Sequence, residues 1–165
     1  MRNFKRLVLA AVLALSVPVA GRADSGKSST FANALVSAFF RGATLTLPTS
    51  FDIRLGSACT ASSFTELTTA SYPGYAMITC TASYPGTACN PSTSNWALAS
   101  SGLTSNSNAV NFAATTGVWT GVQCGAITDT SGNVWYWGNL SGAPVSVPSG
   151  SMPTFPAATI VVGEQ

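Results

Sequence analysis

Residues 121–140, GVQCGAITDTSGNVWYWGNL, constrain the fold more than any other stretch of this chain. Two apolar runs, 122–128 and 134–140, flank Asp129-Thr130-Ser131-Gly132-Asn133, whose residue types accept turn geometry or supply positive φ. The pattern predicts a hairpin with a five-residue loop. Because side chains alternate across a strand, Val134, Tyr136, Gly138 and Leu140 fall on one face of the second strand, and Trp135, Trp137 and Asn139 on the other. Both faces carry large apolar groups. Such a strand needs cover on both sides, in a sandwich core or at a subunit contact.

The chain around it has 165 residues, enough for one domain with a single core. Only 7% of residues are charged, whereas Gly (15), Pro (9), Ser, Thr and Ala are abundant, which suits many short strands joined by turns. An aromatic content of 10% argues against disorder.

The first 23 residues read as a targeting leader. Arg2, Lys5 and Arg6 form a positive start, residues 7–15 an uninterrupted apolar run, and Gly21-Arg22-Ala23 a small-x-small cleavage pattern before Asp24. The apolar run is too short to span a bilayer, so no stable membrane span is expected. Seven Lys/Arg against five Asp/Glu give the chain +2. Four of the cations, Arg2, Lys5, Arg6 and Arg22, lie in the leader with no acid, which leaves three against five, a net −2, in the rest. The basic character thus belongs to the leader, and no nucleic-acid partner is expected.

All four cysteines, Cys59, Cys80, Cys89 and Cys124, follow the leader, and an even count in an exported chain suggests two disulfides. Three pairings are open. Cys80–Cys89 with Cys59–Cys124 is favoured, although a tight turn at Pro85-Gly86 would place Cys89 opposite Ala82, so the short bridge then needs a bulge or a looser loop. No CxxC and no His is present, so neither a metal site nor a cofactor is expected.

Residues 24–29 are small and polar and read as a flexible lead-in, leaving 30–165 as one domain. Within 30–41, Phe31, Ala34, Leu35, Ala38 and Phe39 recur at helical spacing, with Ser28 or Ser29 able to cap the start and Gly42 to end the helix. A helix this short must pack on the β domain or on a second subunit. Residues 51–56 predict a strand with Phe51, Ile53 and Leu55 buried and Asp52 and Arg54 forming a solvent-facing pair. The hexapeptide TASYPG occurs at 69–74 and again at 81–86, and Pro-Gly suits the centre of a type II turn, so the two copies bracket a strand over 75–81. Short strands are also expected at 96–98, 109–113, 145–147 and 159–162. The expected architecture is mainly β: an antiparallel β-sandwich or jelly roll of about seven to eight strands, preceded by one short amphipathic helix.

NALVSAFFRG in the helix, the FDIRLGSA strand, Thr65-Glu66-Leu67, the hairpin pattern at Gly125, Ile127, Asp129, Gly132 and Asn133, and a terminal strand after PSGSMPTFPA come in a recognisable order. Together they resemble, over about 31–162, a family of small bacteriophage tail-fibre or minor virion structural proteins. The resemblance implies a non-enzymatic structural or attachment role, homo-oligomers, and other virion or cell-surface components as partners. A leader and four cysteines are departures from that pattern. They bring in a second reading, a secreted or periplasmic carbohydrate-binding module or adhesin of a bacterium.

The residues themselves also argue against catalysis. Without His, the Ser-His and Cys-His arrangements are excluded. A glycosidase pair would have to combine Asp52 with Glu66 or Asp129, and Asp129 opens the hairpin loop, where an Asx-turn is its ordinary role. Trp119, Trp135 and Trp137, with Tyr72, Tyr75 and Tyr84, either fill the sandwich core or a subunit interface, as large aromatics usually do, or offer flat faces to a peptide or a glycan. Trp135, Trp137 and Trp119 are therefore the candidate contact surface, and a virion or a secreted or periplasmic location is expected.

Overall fold

The computed structural model describes residues 25–45, 50–81, 89 and 95–163. The expected leader and most of the second TASYPG copy, including Tyr84, lie outside the described residues. The rest is mainly β and antiparallel, with one helix.

The organising strand is β2 (Ser50–Cys59), four residues longer than the pattern at 51–56 suggests. One edge pairs along Asp52–Gly56 with β8 (Cys124–Thr128). The other edge is shared: β4 (Ile78–Thr81) takes Ser50–Ile53, and β3 (Phe64–Glu66) takes Gly56–Cys59. β8 continues through the loop 129–133 into β9 (Val134–Asn139), so the expected hairpin and its five-residue loop are present. A register shift between Ile127 and Thr128 marks where the hairpin closes. β9 in turn carries β1 (Ser25–Lys27) on its outer edge, which makes an edge strand of a segment expected as a flexible lead-in. Ladder hydrogen bonds hold such a polar segment without any apolar pattern in its sequence.

Three two-stranded pieces complete the domain. β5 (Leu103–Ser105) pairs with β12 (Val161–Gly163), β6 (Val110–Asn111) with β11 (Thr154–Phe155), and β7 (Trp119–Val122) with β10 (Val145–Val147). The described residues therefore hold twelve strands, more than the seven or eight expected, because several are too short for alternation to reveal them. Residues 96–98 contribute only an isolated bridge from Trp96 to Asn106. The first TASYPG copy does turn at its Pro-Gly. Tyr75 N–H donates to the Tyr72 carbonyl at 3.0 Å, Gly74 has φ 83°, and a Cβ there would lie 2.8 Å from the Thr116 nitrogen.

The core gathers Ile53 and Leu55 from β2 with Leu67, Tyr75, Val110, Phe112, Trp119 and Val122. Asp52 and Arg54 are not the exposed pair that alternation suggests. Asp52 is 1% exposed and the Arg54 side chain 14%. The reason is position: Asp52 is flanked in register by Thr79 of β4 and Thr128 of β8, and Arg54, tied also to Glu66 of β3, folds against it on the same face.

Candidate contact surface

The helix α1 (Ser29–Arg41) starts where β9 begins. Ser28 caps it by accepting from the Phe31 N–H at 3.1 Å, while the Ser28 N–H donates to the Trp135 carbonyl at 2.8 Å and its hydroxyl to the Val134 carbonyl. Ser29 N–H adds a bond to the Ala61 carbonyl at 2.8 Å. Phe31, the one buried helix residue, stacks on Trp135 with centroids 5.2 Å apart and planes 5° apart, and meets Tyr136 edge-on at 5.3 Å. The first turn is thus anchored by three hydrogen bonds and an aromatic pair.

Beyond that turn the cover thins: Leu35, Ser37 and Ala38 are half-buried, and the outer face is open. Val36 is 57% exposed, Phe39 82% and Phe40 84%. These positions, i, i+3 and i+4, form one stripe. Gly42 ends the helix in the left-handed region at φ 67°. Packing on the β domain was one of two covers expected for the apolar face; it accounts for Phe31 but leaves Phe39 in solvent.

The three tryptophans expected as one surface occupy three environments. Trp135 is half-buried under Phe31. Trp137 is buried at 9% exposure and lines a groove of about 240 Å³ with Ala126, Phe155, Ile160 and Val161. Trp119 is fully buried: its indole N–H donates to the Pro73 carbonyl at 2.9 Å, and Tyr72 and Tyr75 stand edge-on at 6.2 and 5.9 Å. Trp119 is therefore core, because the Tyr72–Tyr75 turn and β7 fold over each other, and only Trp135 remains at the surface near α1.

Asp52, Arg54, Glu66 and Tyr75 form a linked polar cluster. The guanidinium meets Asp52 Oδ2 at 2.8 Å and Glu66 Oε2 at 2.6 Å. Tyr75 donates to Glu66 Oε1 at 3.0 Å and accepts from the Leu55 N–H at 3.1 Å. Burial works against the Arg54 charge, but the hydrogen bonds to Asp52 and Glu66 outweigh it and hold the guanidinium above its ordinary value. Burial is also the main cause that pushes the Tyr75 hydroxyl up. The two carboxylates that could have formed a catalytic pair are thus both tied to one arginine. Asp129 is occupied too: Oδ1 accepts from the N–H groups of Ser131 and Asn133 at 2.9 and 2.8 Å, and Oδ2 from the Asn133 amide at 2.7 Å. Burial raises this carboxyl, but these bonds prevail and hold it below the usual carboxylate range.

Cys59 is bonded to Cys124, and Cys80 to Cys89. No cluster of His, Cys, Asp or Glu among the described residues could hold a metal ion, and no helix among them is long and apolar enough to cross a membrane.

Sequence reasoning passed over Asn106. It is fully buried, donates to the carbonyls of Asn108 and Pro156 at 2.7 and 2.8 Å, and accepts from the Ile160 N–H at 2.8 Å. It lay within an Asn- and Ser-rich stretch that reads only as a turn.

No curated protein matches the chain. A family model does match, over residues 26–163, nearly all of the β domain and the whole of α1. With that span matched, the chain belongs to the phage family described as Podophage GP4 fiber I protein gp80.

Proposed function

We propose that this virion fibre-family protein is non-enzymatic and acts through self-assembly and surface contacts, with the outer face of α1 seated against a second copy of the chain. The observation that carries the reading is the stripe of Val36, Phe39 and Phe40, more than half exposed at every position. Apolar surface of this kind on one helix face marks an interaction site. Within α1 only Arg41, at its end, is charged, so the stripe itself carries no charge to be desolvated when two copies meet. The stripe offers roughly 400 Å² per copy, and about 800 Å² for a pair is below the ~1,200 Å² of a stable interface. Self-association therefore draws in the neighbouring Trp135 surface or further copies. Sedimentation of the full chain over a concentration series tests this. The chain should associate, and the F39S/F40S variant should remain monomeric with an unchanged melting temperature. A wild-type chain that stays monomeric at the highest concentration, or a variant that associates equally, overturns the proposal.

The two disulfides support the exported location of a second reading, a secreted or periplasmic carbohydrate-binding module or adhesin of a bacterium, since such bonds persist in oxidising compartments. N-terminal sequencing of the native protein bears on it directly. A start at or near Asp24 supports export, and an intact Met1 in mature particles removes it.

A further inference from the structure

The two bridges differ in how an oxidant can reach them. Cys80 and Cys89 both have no exposed surface and sit in the hydrophobic core cluster. Around them, Cys80 pairs in register with Phe51, the Trp96 indole N–H donates to the Cys89 carbonyl at 3.0 Å, and Trp96 meets Phe51 edge-on at 5.7 Å. In the other bridge Cys124 is likewise fully buried, but Cys59 is half-buried at the end of β2, followed by the exposed turn 60–63.

We infer that the bridges close in a fixed order, Cys80–Cys89 before the core packs and Cys59–Cys124 after it. Each closure converts two thiols to one disulfide and passes their two protons and two electrons to an external disulfide oxidant, which leaves as two thiol groups. The reaction runs through a mixed disulfide, so one cysteine of each pair must meet the oxidant. Cys59 can do so in the folded sheet: its thiolate attacks the oxidant, and Cys124 then displaces the oxidant's thiol. Neither Cys80 nor Cys89 can, once covered. Chain statistics point the same way. With separations of 9 and 65 residues, the short loop brings its ends together about twentyfold more often in the open chain. The inference places a thiol–disulfide exchange step upstream of folding, so the chain meets an oxidant before it is a folded subunit.

Two measurements on the full chain test the order. Reduced and denatured protein is refolded in a glutathione redox mixture, quenched with an alkylating agent at intervals, and peptide-mapped. One-bridge species should carry Cys80–Cys89 with Cys59 and Cys124 alkylated. Separately, native oxidised protein is treated with a mild thiol reductant. Cys59–Cys124 should open at least tenfold faster than Cys80–Cys89. One-bridge species that carry Cys59–Cys124 or are evenly mixed overturn the proposal, as does native reduction in which both bridges open together or the short one opens first.

Discussion

Phe31 and Trp135 lie face to face, ring centroids 5.2 Å apart and planes only 5° from parallel, and this stack is the main apolar contact between the first turn of the helix and the sheet. The hydrogen bonds of Ser28 and Ser29 hold the same first turn, while Val36, Phe39 and Phe40 on the outer face lie in solvent. Phe31→Ala should cost about 3 kcal/mol, from lost burial and the aromatic pair together. Hydrogen exchange should show α1 losing protection before β2 and β8 do, and uniform loss across the domain would show that the helix is held elsewhere.

Trp137 and Trp119 should behave as core residues. Each truncation to Ala is expected to cost on the order of 3–5 kcal/mol, measured by chemical denaturation. A Trp137→Ala variant as stable as the parent would return that side chain to the contact surface.

Arg54 neutralises two carboxylates at once. Arg54→Met should destabilise by about 3–5 kcal/mol at neutral pH, because Asp52 is left buried without its cation. Adding Glu66→Gln to that variant should recover part of the loss, and no recovery would mean that packing, not charge, dominates the site.

Much of the hairpin was legible because its signals are local. Gly132 and Asn133 follow Asp129 closely enough for one carboxylate to gather the loop, and apolar runs on both sides leave one register. Gly74 after Pro73 was legible for the same reason. Asp52 was not, since alternation shows which face a residue is on but not which strands flank it or which side chain folds against it, here Thr79, Thr128 and Arg54. Trp119 and Trp135 look alike in sequence, and only the return of the Tyr72–Tyr75 turn separates core from surface. Asn106 gave no signal, because its partners Pro156 and Ile160 lie 50 and 54 residues away.

Asn106→Ala should therefore destabilise strongly for a turn residue, by about 1–3 kcal/mol, since it leaves the Ile160 N–H without its acceptor and removes the amide's bonds to the Asn108 and Pro156 carbonyls. Thermal melting checks this. A change under about 0.5 kcal/mol would mean that water replaces the amide.

Asp129 links the hairpin loop to pH. Its folded carboxyl titrates below the unfolded value of about 4, so its contribution is present above that value and is lost as pH falls through the folded pKa. Stability measured from pH 6 downward should fall more steeply in the parent than in Asp129→Asn. Parallel curves would show that the loop bonds do not depend on the charge.

The bridge between Cys59 and Cys124 has a mechanical meaning as well. When the domain is pulled between Lys27 and Val161, tension travels along the chain to Cys59, crosses the sulfur–sulfur bond, and resumes at Cys124. The residues between, a separation of 65, carry no load while the bond is intact. Roughly 220 Å of contour length stays locked away. The β1 ladder, the helix, β2 and the strands after Cys124 can still yield, so an appendage built from this domain would stretch under shear to about half the length of an unbridged one and then stop.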